Sequence, residues 1–485
     1  MTVEVFVRLT LEEVRRFSRT PWVLVGLLLL ISGSWASVTL GERDYDEQVS
    51  TYTDQLQARL QSQVRGTGQA LGRSVEPGLR VIRAPAPGSI LVQGLDPWLP
   101  AAWQIAPWGT EQLLPYPNST RRPAGTGAWD LEVLVRVVAG ILTLAMGAAS
   151  VVVDRTSGWV VVLRTLPMSV GLTSLARVMG GCLAVAALVA LWWISLGLML
   201  TGTTISETFP PGRVWLLTVP TLFYLWALFG LGATAAWLLR SSLRAPMVGV
   251  AGWLVIAVIG PALIALVPQF LVPAETRTAM ERTRREQFAD DMRTTEKRVG
   301  EGLSLRLPSS VSRADFDLLT TREFSQVERT WVGAVQQVRA RANAVEHSWR
   351  LQHDLRRRVA SWVKWAIPGV LIQEALAELM DTGPTNADAW EAAVTFHQSA
   401  MNNALFDDRP VVNLPVKAGA LNSLAAFDRH PAPKYGDLPV FTAPTVSWSI
   451  RVATIQDSGR GLLIWATVFL VGAWLSGVRG LKILR

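Results

Sequence analysis

The chain has 485 residues, of which 50% are hydrophobic and only 17% charged, with a net charge of +8 and a mean hydropathy of +0.28. That balance excludes an ordinary soluble protein of this size and points to an integral membrane protein with sizeable polar insertions. Basic residues beside membrane spans account for the positive charge, and no basic stripe with interleaved aromatics marks a nucleic-acid interface. The single cysteine, Cys182, permits no intramolecular disulfide.

At the N-terminus, Val3, Phe6, Val7, Leu11, Val14 and Phe17 fall on one arc of a helical wheel, with Arg8, Glu12, Arg15, Arg16 and Arg19 on the other. Residues 1–20 therefore read as an amphipathic helix lying along a bilayer surface. Six stretches then reach the roughly 20 apolar residues that a crossing requires: 21–40, 131–153, 173–200, 214–239, 246–272 and 461–478. The first is too long to read as a removed signal peptide.

Arginines and lysines set the expected orientation. Arg8, Arg15, Arg16 and Arg19 precede the first span. Arg155, Arg164 and Arg177 lie between the second and third, Arg240 and Arg244 between the fourth and fifth, and Arg479, Lys482 and Arg485 after the sixth. If the spans alternate, all four groups share one side. The expectation is a bacterial inner-membrane protein with both termini in the cytoplasm and two insertions, 41–130 and 273–460, outside.

Within the first insertion, residues 44–72 carry Val49, Leu56, Leu60 and Val64 at helical spacing without a proline, whereas 80–123 is rich in Pro, Gly and Trp and predicts irregular structure with short strands. The second insertion opens with a charge-dense helix over 274–302. Ser312 stands as an N-cap before a helix running through Trp331, Val338, Ala342 and Val345 toward Trp362, and another helix is expected over 386–405. Prolines 410, 415, 431, 433, 439 and 444 predict loops and strands over 407–454. Neither insertion has an obvious closed core of its own, so the fold class expected is mainly α: six transmembrane helices, an interfacial helix and one mostly helical outer domain built from both insertions.

The segment from Asp154 to Ser169 lies between two membrane-length runs, so anything that pushes on it moves both spans. Thr156 or Ser157 can cap a short helix there and Pro167 stops it, with Trp159, Val162, Leu163 and Leu166 on one apolar face. The alternative is a loop resting passively on the bilayer. An acidic residue, a small pair and a Leu-rich stretch ending in Leu-Pro-x-Ser are here Asp154, Ser157 with Gly158, and Leu163, Arg164, Thr165, Leu166, Pro167, Met168 and Ser169. Together with the order of interfacial helix and spans, this resembles the membrane subunit of ABC-2-type (type V exporter-like) ABC transporters, although Trp159 stands where a small hydroxyl residue is common. A second resemblance, to the DUF3526-like subgroup with large extracytoplasmic insertions, rests on 367–376 from Ile367 and Pro368, on Asp381, Thr382, Gly383, Pro384 and Thr385, and on Trp390 with His397. Pro384 interrupts that subgroup's Gly-Thr pair.

The resemblance implies that Asp154, Thr156, Ser157, Gly158, Trp159, Leu163, Arg164, Leu166 and Pro167 form a coupling helix. It also implies an ABC ATPase dimer as partner and a second identical or related permease copy. The chain has no G-x-x-x-x-G-K-[ST] and so cannot cradle a nucleotide's phosphates in a P-loop. ATP and magnesium are expected on the partner ATPase, with no cofactor, catalytic residue or metal on this chain. His347, His353, His397 and His430 show no metal-ligand spacing.

Charge inside a membrane is costly and marks function more often than charge elsewhere. Glu132 and Arg136, four apart near one end of the second span, can pair as a snorkelling interface couple or contact substrate. Trp192 and Trp193 can line a lateral cavity or serve packing. Two functional readings remain: a permease exporting a substrate, or a mechanotransmission subunit acting on an extracytoplasmic protein.

Overall fold

A computed structural model describes residues 2–66, 79–95, 102–105, 112–114, 130–158, 169–201, 211–239, 244–273, 275–304, 313–406 and 439–483. It is mainly helical, and six helices are long and apolar enough to cross a membrane. They are α2 (Pro21–Gly66), α3 (131–156), α4 (Val170–Leu200), α6 (Thr218–Leu238), α7 (244–271) and α12 (Trp448–Ile483). These are the first to sixth spans. α1 (Thr2–Ser18) precedes them, and a short α5 (Pro211–Leu216) leads into the fourth.

Two spans run well past their apolar stretches. The first continues unbroken for 46 residues, about 70 Å at 1.5 Å per residue and more than twice a bilayer core. No proline interrupts 22–66, so the polar helix expected over 44–72 is, as far as 66, an extension of the span, and 67–72 lie outside the described residues. The sixth begins at Trp448, which corrects the expectation of loops and strands as far as 454. The last proline of that series is Pro444, and nothing after it opposes a helix.

The fourth span is the centre of the bundle, with Tyr224, Leu225, Leu228, Phe229, Ala233 and Ala236 buried. Small residues let its neighbours approach at backbone distance. A Cβ on Gly147 of the second span would meet the Phe229 carbonyl, and one on Gly232 of the fourth would meet the Leu144 carbonyl. Gly230 lies in the same way against the backbone of Phe469 and Leu470 on the sixth. The second span contains a π-helical stretch, Leu134–Ala139. At that widened turn, the Arg136 carbonyl accepts from Tyr224 Oη at 3.0 Å and Trp253 Nε1 at 3.4 Å, joining spans two, four and five.

Beyond the spans, α8 (Arg277–Ser304) and α9 (Arg313–Lys364) form a hairpin joined by Arg284 and Glu346 at 2.5 Å. Ser312, the expected N-cap, lies outside the described residues. α10 (Pro368–Leu379) is buried along most of its length, and α11 (Pro384–Phe406) follows. Strands β1 (Leu79–Ile82), β2 (Ala102–Ile105) and β3 (Gln112–Leu114) pair antiparallel in sequence order. Trp103 of β2 stacks on Trp390 of α11 with centroids 5.8 Å apart, and Trp390 stacks in turn on Phe441. Trp103 of the first insertion and Trp390 and Phe441 of the second thus share one aromatic cluster.

Gly147→Leu or Gly232→Leu forces a side chain into a backbone. Overpacking costs about 1–3 kcal/mol in a core that can adjust, and here the obstacle is a carbonyl. Thermal unfolding in detergent is expected to show either variant strongly destabilised, with Gly212→Leu, whose Cβ meets nothing within 4 Å, close to wild type.

Candidate functional site

The end of the bundle that carries α1 holds a cluster of four charges, three of them buried and Arg16 half-buried. Asp154, in the last turn of the second span, is 0% exposed. Its carboxylate accepts from Arg16 Nη1 of α1 at 2.5 Å and pairs with Arg177 of the third span. Glu13 of α1 lies 3.7 Å from Arg16 and 3.6 Å from Arg177. Arg177 Nη2 also donates to the Ser150 carbonyl at 3.1 Å. Two carboxylates and two guanidiniums make a neutral set, which offsets the cost of withdrawing each charge from water.

α1 reaches this position because Gly180 leaves room. A Cβ there would meet the Glu13 side chain and the Thr10 carbonyl. Thr10 Oγ1 bonds the Ala176 carbonyl at 3.3 Å, and the Phe17 ring sits edge-on to Phe229 at 6.4 Å. The buried face of α1 is therefore Thr10, Glu13 and Phe17, rotated from the apolar arc read in the sequence. Val3 (74%), Val7 (48%) and Leu11 (50%) are exposed instead. Apolar exposure on a helix beside membrane spans suits a bilayer surface, while Arg16 meets Asp154, Glu13 meets Arg177, and Arg8, Glu12, Arg15 and Arg19 stay exposed.

Arg155 makes a second tie. Its guanidinium donates to the carbonyls of Leu239 (3.1 Å) and Trp237 (2.9 Å) and lies 5.1 Å from the Trp237 ring centroid. A cation at the carboxyl end of the fourth span satisfies carbonyls that lack helical partners. The third and sixth spans are tied at the same end by Trp474 Nε1 to the Gly171 carbonyl at 2.9 Å and Ser174 Oγ to the Trp474 carbonyl at 3.0 Å.

The chain leaves this base through Thr156, Ser157 and Gly158, all exposed. Thr156 Oγ1 turns back onto the carbonyls of Val152 and Val153 and so closes the second span. Gly158, at φ +70°, takes the left-handed conformation that ends a helix after its C-cap. Ser169 caps the third span by accepting from the Leu172 amide at 3.3 Å. Trp159, Leu163, Arg164, Leu166 and Pro167 lie outside the described residues.

Glu132 and Arg136 pair with each other at 3.1 Å. Trp192 and Trp193 are both buried, with ring centroids 5.6 Å apart. Trp192 Nε1 donates to Ser34 Oγ at 2.7 Å and lines a cleft with the first and second spans. Among the described residues no three His, Cys, Asp or Glu side chains converge as metal ligands. His353 stacks on Trp349 at 4.6 Å, His397 meets Phe441 edge-on at 5.3 Å, and His430 lies outside the described residues.

The opposite end of the bundle repeats the pattern. Asp381, at φ +63°, pairs with Arg213 at 3.0 Å and with Arg451 of the sixth span. Lys364 meets Glu374 at 2.9 Å and Asp457 at 3.2 Å. Glu378 is 0% exposed, and its Oε1 accepts from the Thr385 amide at 2.7 Å. Burial pushes the Glu378 carboxyl above the usual carboxylate range, against the lowering effect of that hydrogen bond.

Sequence reasoning singled out Asp154 but used Arg177 only as a marker of sidedness and Arg16 as that and as part of the polar arc of the leading helix, and gave Glu13 no role. The signal available was Asp154 and Arg177 closing or opening apolar runs, where each requires a partner. No protein-family model matches the chain, and no curated protein matches it.

Two predictions arise here. Asp154→Ala leaves the buried Arg177 and the half-buried Arg16 short of an anion and should cost about 3–5 kcal/mol; a double-mutant cycle with Arg16→Gln, read by unfolding in detergent, should show the two substitutions strongly non-additive. A raised carboxyl in the folded state gives stability that is complete at low pH and is lost as pH rises through the folded value. Glu378→Gln should therefore match wild type at about pH 4 and gain on it toward about pH 8, as followed by melting temperature.

Proposed function

We propose that this chain is the membrane-spanning permease subunit of an ABC transporter, worked by ATP hydrolysis on a separate ATPase subunit. The observation that carries the reading is the Glu13, Arg16, Asp154 and Arg177 cluster directly behind the exposed Thr156-Ser157-Gly158 exit. A push on the segment between Gly158 and Ser169 meets a base in which α1 and the second and third spans are pinned together, and Arg155 extends that base to the fourth. Such a push moves helices as a unit rather than bending one of them, which is what a coupling element requires. The sequence resemblance at Asp154–Ser169 and the missing P-loop point the same way.

In this reading the α1 end faces the cytoplasm of a bacterial cell, an ATPase dimer docks there, and a second copy or a related permease completes the assembly across the bilayer. The insertions lie outside the cell. A second reading, mechanotransmission to an extracytoplasmic protein, is favoured by the opposite ion clusters. Arg213 of α5, which leads into the fourth span, and Arg451 of the sixth both meet Asp381 in the turn between α10 and α11, so that span motion is handed to the insertions.

The test is whether a P-loop ATPase is encoded beside this chain's gene, followed by co-expression of the two. Gly158→Glu with Leu163→Glu is expected to abolish co-purification and leave the permease folded. Undiminished association of a folded variant would sink the ATPase reading. Retained association with ATP-dependent motion but no cargo in reconstituted vesicles would favour mechanotransmission.

A further inference from the structure

The first span leaves an apolar cleft against the second and third that is open along one side. Val23, Leu27 and Leu30 supply one wall, at the spacing of a single helical face, and Thr143, Leu188 and Trp192 are among the residues opposite. We propose that this cleft holds one acyl tail of a membrane phospholipid, independently of any ATPase partner.

The cleft cannot close by moving the first span inward. Cβ atoms on Gly26 and Gly33 would already collide with the side chains of Leu142 and Leu134. Trp192 Nε1 on Ser34 Oγ fixes the upper end, and Phe17 against Phe229 fixes the chain just before the span. Nor does water suit it, since a buried water needs two to four polar partners. Thr143 is the lining residue with a hydroxyl, and that group is already bonded to the Ala139 carbonyl at 2.7 Å. The Trp192 indole is committed to Ser34.

The mouth faces hydrocarbon. Leu27 and Leu188 are the half-buried liners on the first and third spans. The residues beside them, Leu28 (65% exposed) and Leu191 (54%), point away from the bundle. From Val23 to Leu30 the first span rises about 10 Å, against about 15 Å for one leaflet's hydrocarbon, so the cleft takes a tail and leaves the headgroup at the α1 surface. Exposed Arg15 and Arg19 stand there, just before the span, with charge complementary to a lipid phosphate. A seated tail holds the first span off the third, while α1 stays pinned to the second and third spans through Asp154 and Arg177.

The experiment places the full chain in vesicles of phosphatidylcholine doped with phosphatidylglycerol carrying a mid-tail diazirine. After irradiation, adducts are mapped by peptide mass spectrometry. Adducts at Leu27, Leu142 and Leu188 are expected to saturate and to be competed by unlabelled phosphatidylglycerol, whereas those at lipid-facing Leu28 and Phe270 rise linearly. Val185→Phe and Val189→Phe, which fill the cleft from the third span, should drop cleft adducts to the linear background. A second arm compares diazirine-labelled phosphatidylglycerol and phosphatidylcholine on Arg15→Gln/Arg19→Gln, where the preference for the anionic lipid should vanish. Cleft adducts that never saturate in the wild-type chain overturn the proposal, as do adducts unchanged in a filled variant that melts like wild type. An unchanged headgroup preference overturns the placement of the phosphate.

Discussion

Everything at the α1 end of this molecule depends on one constraint: a carboxylate with no solvent access cannot stand alone in an apolar bundle. Asp154 resolves it by drawing in Arg16 from a helix outside the spans and Arg177 from the next span, and Glu13 completes the neutral set. Attraction alone would not place these groups. The absence of a side chain at Gly180 lets α1 settle close enough for Glu13 and Arg16 to reach, and Phe17 fills the space against Phe229. Electrostatics chooses the partners, and sterics sets the distance at which they meet.

The same solution recurs at the far end with different parts. The turn at Asp381, in a conformation that costs a non-glycine residue energy, receives Arg213 from one side and Arg451 from the other. α10 rests on the fifth span through Gly369, where a Cβ would meet the Ile256 carbonyl. Between these two polar ends the bundle is held by shape, through glycines of spans two and four laid against opposing carbonyls. Under the proposed function, these close contacts are the path by which a displacement at one end would reach the other.

Much of the architecture was legible in the sequence because membrane crossing is a one-dimensional property. The six spans follow from apolar length, and the mutual pairing of Glu132 with Arg136 follows from helical spacing. The extents were less legible. Nothing in the polar stretch 44–66 distinguishes an independent helix from a continuation of the first span, since only a breaker would mark the difference. The face of α1 that packs on protein was not legible for a related reason: a helical wheel ranks faces by hydrophobicity, and here that face is chosen by charges on other helices.

The sequence by itself determined the number of spans, the amphipathic leading helix, the absence of a P-loop and the position of Asp154 at the end of an apolar run. Each depends on neighbours along the chain. The tertiary structure decided that Asp154 is shared by Arg16 and Arg177, that Arg155 closes the fourth span, that Trp103 and Trp390 join the two insertions, and that the first span stands off the third around an apolar cleft. These contacts link residues far apart in the chain. Complementary charge, a missing side chain or an unfilled volume has meaning only once the helices stand side by side.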